Sequence, residues 1–258
     1  MVNGMAPVRP FRFQQFQVLQ DRDAPRVCTD ACLFGTAMAL PPEAGKNPRL
    51  ILDTGTGTGL LALMLAQRCS AAGIPFRIDA LEPDPGNAAL ARENFRRSPW
   101  AARLSLFPLT AQAFRPGPVY HMICCNPPWF GAGSTPSPRE RRHRARHQLS
   151  LSPADLCRAA AAALHPRGLL QVLLPYPDHP LFRAAAEAAG LHLTGLCPIR
   201  HRPGQRAGRV ILAFTKAGAG FTPPPLPAAI TVCDQAGNRS RQTARLFAGF
   251  HLRHSAPG

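Results

Sequence analysis

RLILDTGTGTGLLALMLAQR, residues 49 to 68, changes its hydrophobic period half-way along and so decides the fold. Arg49 to Asp53 is a short apolar run ending in a carboxylate, which reads as a buried strand. Thr54-Gly55-Thr56-Gly57-Thr58-Gly59 follows as a tight turn, and Leu60 to Arg68 continues as a helix. Glycines in such a turn let the backbone approach a ligand closely, and the free N–H groups of the next helix favour polar or anionic ligand groups. The spacing after the aspartate is GxGxG, not GxGxxG, and the GK[ST] ending of a phosphate loop is missing. Both features argue against a dinucleotide or a nucleoside triphosphate.

The rhythm repeats downstream. A second strand, Phe76 to Leu81, ends at Glu82, after which Asp84 can cap and Pro85 can open the helix PGNAALARENF. Glu82 stands where the acidic residue of dinucleotide folds accepts hydrogen bonds from both ribose hydroxyls; an exposed helix-start charge is the plainer reading. Further strands are expected near 103–107, 119–125, 168–174, 191–197 and 208–215, with helices from Ser152-Pro153 to about His165 and through PLFRAAAEAAG to Gly190. Alternating strands and helices imply an α/β fold with a mostly parallel sheet. The last two strands join through Arg200 to Gly208 without a helix, so that pair is expected to be antiparallel. AGFTPPPLPAA, residues 219 to 229, is a proline-rich connector before a short C-terminal tail.

Composition narrows the function. The 258 residues carry a net charge of +16, and the only lysines are Lys46 and Lys216, so arginine supplies almost all the basic charge. Residues 1–120 hold 13 basic and 9 acidic side chains, whereas 121–258 hold 17 and 5. A polyanion is the expected partner, because the planar guanidinium fork matches phosphate and a basic face is the footprint of nucleic-acid binders. Five of the arginines, Arg139, Arg141, Arg142, Arg144 and Arg146, crowd the polar loop GAGSTPSPRERRHRARH (131–147), and Arg200, Arg202, Arg206 and Arg209 lie between the late strands. The start, MVNGMAPVRPFRFQQF, has no apolar signal core and no stretch is long enough to span a bilayer, so a soluble cytoplasmic protein is expected, without a membrane partner. Eight cysteines without a CxxC pair suggest neither a metal site nor a disulfide framework. A monomer is expected.

Asn126-Pro127-Pro128-Trp129-Phe130, directly after the strand VYHMICC, carries the sharper chemistry. Two prolines fix the backbone and remove two donors, leaving carbonyls free to point into a site. The Asn126 side-chain oxygen and the Pro127 carbonyl can then both accept from one NH₂ group, while Trp129 offers a flat face for a base. Such a site selects an exocyclic amine.

DTGTGTG and NPPWF together resemble class I S-adenosylmethionine-dependent methyltransferases of the amino-methylating type, whose hallmark is [D/N/S]PP[Y/F/W]. FRFQQFQVLQDRDAPRVCTDACLFGTAMAL, SPW at 98–100, STPSPRER and RVILAF at 209–214 are similar to the bacterial adenine-N6 methyltransferases that act beside the anticodon of a valine tRNA. The resemblance, from about Phe11 to the C-terminus, implies a Rossmann-like, seven-stranded fold. It divides the chain into an N-terminal segment covering the site (1–45), the methyltransferase domain (46–218) and the connector and tail packed on that domain (219–258). It further implies that S-adenosyl-L-methionine is held by Asp53, Gly55, Gly57, Glu82 and Asn126, with Thr29 and Asp30 closing over its methionine end. Asn126 to Trp129 would hold the target adenine, and Pro128, Phe130 and the five loop arginines would contact the RNA. This chain departs from the family pattern at Thr110, where an acidic residue usually meets the cofactor's adenine amino group, at His121, where aspartate is common, and at Trp129, where tyrosine is usual. Two other readings stand beside this one: a glutamine side-chain amide of a translation factor presents the same NH₂ group, and a non-catalytic RNA-binding relic would follow from Thr110 and His121. Phe11, Phe13 and Phe16 read as a hydrophobic lid rather than as base-stacking rings. Replacing the five loop arginines by glutamine is expected to weaken tRNA binding and flatten its salt dependence while leaving cofactor affinity intact, as measured by titration at several salt concentrations.

Overall fold

Parallel strands buried on both faces need near-continuous apolar runs, and RLILDT, FRIDAL and YHMICC supply them. The computed structural model describes residues 10–20, 24–41, 47–116, 119–127, 151–216 and 222–250. Its elements in chain order begin with β1 (Phe11–Arg12), β2 (Gln17–Val18), α1 (Thr29–Ala37), β3 (Arg49–Thr54), α2 (Leu60–Ala71), β4 (Phe76–Leu81), α3 (Pro85–Arg96) and β5 (Leu104–Phe107). They continue with β6 (Tyr120–Cys125), α4 (Pro153–Ala163), β7 (Leu164–Pro175), α5 (His179–Ala188), β8 (Leu191–Arg200), β9 (Arg209–Lys216), β10 (Ile230–Thr231) and α6 (Arg241–Phe247).

β1 and β2 pair as a small hairpin, and the remaining strands form one sheet in the order β10-β8-β9-β7-β6-β3-β4-β5. Within that sheet the β7–β9 and β8–β9 ladders are antiparallel and the other ladders parallel. The antiparallel late pair follows the sequence expectation, whereas the sheet has eight strands rather than seven. The extra strand, β10, runs parallel to β8 at the edge, and its two residues are too few to show a period. Side chains of β6 alternate between two cores: Met122 and Cys124 join α1, α2, α6 and Phe95 of α3 on one face, while Ile123 and Cys125 join α4 and α5 on the other.

Caps set the helix boundaries. Asp84 accepts the Asn87 N–H at 2.6 Å with Pro85 in the first turn, and Ser152 accepts the Asp155 N–H at 3.1 Å with Pro153 in the same place. α4 stops at Ala163, short of the expected His165, because His165 precedes Pro166 and that position disfavours the helical region. The tail holds a helix that the sequence did not announce. α6, capped by Ser240, packs on α1 and buries Phe247 and Phe250 in the first core. Phe13 and Phe16 stack with centroids 4.5 Å apart and are buried in that same core, as the lid reading requires. Among the described residues no helix is long and apolar enough to cross a membrane.

Gln171 in β7 ties the segment after α1 to the sheet. Its amide donates to the Ala39 carbonyl at 2.9 Å and accepts from the Ala39 N–H at 2.8 Å, with Gln171 fully buried. Gln171→Leu keeps the volume but leaves two buried backbone groups unpaired, so the unfolding free energy from urea titration is expected to fall by about 2–5 kcal/mol.

Candidate active site

Three strands end at one level. Thr54 of β3 is in register with Leu81 of β4 on one side and Cys125 of β6 on the other, so Gly55, Glu82 and Asn126 leave the sheet side by side. Between β3 and β6 the strand order reverses, and the crevice outside the carboxyl ends at such a point is where open α/β sheets bind ligands. Two bonds lock the level: the Thr56 N–H donates to the Leu81 carbonyl at 2.9 Å and the Cys125 thiol to the Thr54 carbonyl at 3.0 Å.

The glycine turn is shaped from beneath. Gly55, Gly57 and Gly59 all have positive φ, at 70°, 59° and 86°. At Gly59 a Cβ would lie 2.5 Å from the Phe95 ring, so this position needs glycine for room as well as for conformation, whereas Gly55 faces open space. Asp53, with no exposed surface, accepts from the Thr56 hydroxyl at 2.5 Å, the Ala62 N–H at 3.1 Å and the Cys124 thiol at 3.6 Å. These bonds give Asp53 a role in holding the turn, beside the cofactor contact expected from the sequence. Burial pushes its carboxyl up to about 6 against the pull of those donors.

Glu82 lies at the wall of the crevice and is 5% exposed. One oxygen accepts the Gly57 N–H at 2.8 Å and the other the Asp84 N–H at 3.0 Å, with the Asn87 side chain as a third donor, and together they aim the carboxylate across the turn. Burial outweighs these donors and pushes its carboxyl up to about 7. Asn126 is half-buried and Pro127 buried at the end of β6.

The N-terminal segment reaches the same crevice. Pro25 lies over Gly57, 3.3 Å from where a Cβ would stand. Thr29 opens α1, and Asp30 pairs with Arg209 at the start of β9 at 3.1 Å. Thr110, past the end of β5, accepts the Ala113 N–H at 3.2 Å. His121 is not at the site: it sits near the amino end of β6, accepting the Leu50 N–H at 3.2 Å and stacking on His165. Pro128, Trp129, Phe130, Arg139, Arg141, Arg142, Arg144 and Arg146 lie outside the described residues.

Sequence reasoning missed the supports. Asn94 of α3 donates to the Thr58 carbonyl at 2.8 Å and to the Leu19 carbonyl at 3.1 Å, joining the glycine turn to the N-terminal segment, and no spacing signal marks it. Thr56 was legible only as part of the turn. Among the described residues no three His, Cys, Asp or Glu side chains gather as a metal site.

No protein-family model matches the chain. Its relatives are more telling: the tRNA1(Val) (adenine(37)-N6)-methyltransferase of Phocaeicola vulgatus is 38% identical over 79% of this chain and 82% of its own length. The chain belongs to the tRNA1(Val) (adenine(37)-N6)-methyltransferase family. The member of the family from Klebsiella pneumoniae subsp. pneumoniae is 37% identical over 84% of this chain and 86% of its own. Among solved structures, one described as a predicted O-methyltransferase from Agrobacterium tumefaciens superimposes with a TM-score of 0.62 at 19% identity, covering 86% of this chain and 96% of the other. TYW2 of M. jannaschii, solved in complex with AdoMet, gives 0.54 at 11%, covering 84% and 90%. At those identities the structural likeness speaks for the fold, which is that of the methyltransferases.

The raised Glu82 carboxyl sets the sign of a pH effect. Between 4.5, its value in an unfolded chain, and about 7, the folded protein holds a proton that the unfolded chain releases. Stability is therefore expected to fall as pH rises through that window, by on the order of 3 kcal/mol for this group alone. Glu82→Gln removes the titrating group, so its urea midpoint should depend less on pH there than the parent's; equal slopes contradict the buried carboxylate.

Proposed function

We propose that the protein transfers a methyl group from S-adenosylmethionine to N6 of an adenine in the anticodon loop of a valine tRNA, as a cytoplasmic monomer. The observation that carries the reading is the common level of Gly55, Glu82 and Asn126, which puts the end of β6 beside a glycine turn in a chain of this family. The residues present fit the cofactor: open space at Gly55, backbone N–H groups at the start of α2, and a buried carboxylate at Glu82, the group type that accepts from a ribose in dinucleotide folds. When bound, the cofactor supplies a sulfonium methyl that is already electrophilic.

The chain's own residues then have the task of orientation. Gly55, Gly57 and Glu82 hold the cofactor, Asp53 keeps their turn in shape, and Thr29 and Asp30 stand where α1 begins, at the methionine end. The adenine amine is a poor nucleophile because its lone pair is conjugated into the ring. Asn126 Oδ1 and the Pro127 carbonyl accept its two hydrogens, which favours the pyramidal nitrogen and stabilises the positive charge that develops there. Positioning the nitrogen and the methyl in line supplies most of the rate, and no strong general base is needed. The adenine must leave its stack, at a few kcal/mol, and stacking on Trp129 offsets part of that. Thr110 serves the cofactor's adenine end, with its hydroxyl in place of the family's carboxylate.

Incubation with methyl-labelled cofactor, total tRNA and total protein, followed by nucleoside analysis, tests the reading. Label is expected in N6-methyladenosine of tRNA, and Asn126→Ala is expected to lower the rate at least about 100-fold. Label confined to protein selects a glutamine substrate instead, and absence of cofactor binding in calorimetry leaves only an RNA-binding relic.

A further inference from the structure

The hairpin between β8 and β9 stands at the same end of the sheet as the glycine turn. β9 runs against β7 with Arg209 opposite Pro175, and β7 runs beside β6 with Val172 opposite Cys125. Pro175 lies three residues beyond Val172, so the end of β7 and β9 rises about 10 Å past Cys125 and about 7 Å past the level of Asn126. β9 is two strands from β6, a lateral distance of about 10 Å. The hairpin is thus a wall beside the crevice.

The turn between β10 and α6 is stitched to that wall. The Val232 N–H donates to the Arg200 carbonyl at 2.9 Å and the Cys233 N–H to the His201 carbonyl at 2.8 Å. The Arg202 guanidinium lies against Gly237, 3.1 Å from where a Cβ would stand. Two stretches separated by β9 and the proline-rich connector therefore make one surface, which carries Arg200, His201, Arg202, Arg206 and Arg239. Arg200 is half-buried and the others are exposed. Besides Asp53, Glu82 and Asp84 at the glycine turn, carboxylates at this end include Asp30, which pairs with Arg209 at 3.1 Å, Asp234, which accepts the Asn238 N–H at 2.9 Å, and Asp178, just past β7. No described carboxylate forms an ion pair with Arg202 or Arg206.

We infer that this wall binds the phosphate backbone of the tRNA whose adenine enters the crevice, an inference that rests on the tRNA reading above. Exposed guanidinium forks without carboxylate partners keep their full capacity for phosphate oxygens. A nucleic acid presents a charge about every 1.7 Å of duplex axis, so a stem leaving the crevice passes several phosphates across a wall about 10–20 Å away. Such contacts set register and orientation without reading sequence, leaving the choice of adenine to the crevice itself.

The test is tRNA binding by Arg202→Gln/Arg206→Gln across a range of salt, with Arg77→Gln, exposed near the amino end of β4, as the control. Binding of S-adenosylmethionine in the absence of RNA checks that each variant is folded. The double variant is expected to bind tRNA more weakly, with the slope of log K against log salt reduced by about 1.4–1.8, while the control keeps the parent slope. An unchanged slope in the double variant, or an equal loss in the control, overturns the inference and leaves the tRNA reading intact. A parent enzyme that labels protein and no tRNA overturns both, and a double variant impaired only toward that protein assigns the wall to a protein partner.

Discussion

The register of β3 against β4 and β6 is the constraint on which the site depends. Side chains in a strand alternate between faces, so a slip of one residue would turn Asp53 out of the core and carry Asn126 away from the glycine turn. The ladder resists such a slip because both faces are buried: Ile51, Met122 and Cys124 have their places in one core, Leu52, Ile123 and Cys125 in the other. The chemistry at the rim is thereby set by apolar packing below it. Loops alone would not hold Glu82 and Asn126 to a common level.

Two carboxylates near the glycine turn show how environment divides one functional group between two tasks. Asp53 is sealed, and its acceptor sites meet Thr56, Ala62 and Cys124, so it shapes backbone. Glu82 is almost as deeply buried but sits at the wall of the crevice, where it accepts two backbone N–H groups and a bond from the Asn87 side chain. In both, loss of hydration is the larger effect and the hydrogen bonds only moderate it.

Where the chain repeats a period, the sequence was a good guide. β4 and the start of α3 fall where the apolar run and Asp84-Pro85 put them, and the antiparallel β8–β9 pair follows from the missing helix between them. What escaped was short or long-range. β10 and α6 span two and seven residues, below the length at which a pattern emerges. Asn94, Gln171 and Pro25 act on partners far along the chain, and nothing local distinguishes them from surface or core residues of the same type. The site residues were legible as a motif, but their division of labour was not: that Asp53 braces while Glu82 faces the crevice, and that His121 belongs to the opposite end of its strand, required the register.

The N-terminal segment owes its place to residues made much later. Leu19 is held by Asn94, Ala39 by Gln171, and Asp30 by Arg209, at separations of 75, 132 and 179 positions. Loop-closure entropy grows with such separations, so these contacts form after the local ones. During synthesis this segment must therefore wait, undocked, until β7 and β9 have left the ribosome. A chain that stops before those strands has its glycine turn but nothing to hold Asp30 and Ala39 in place.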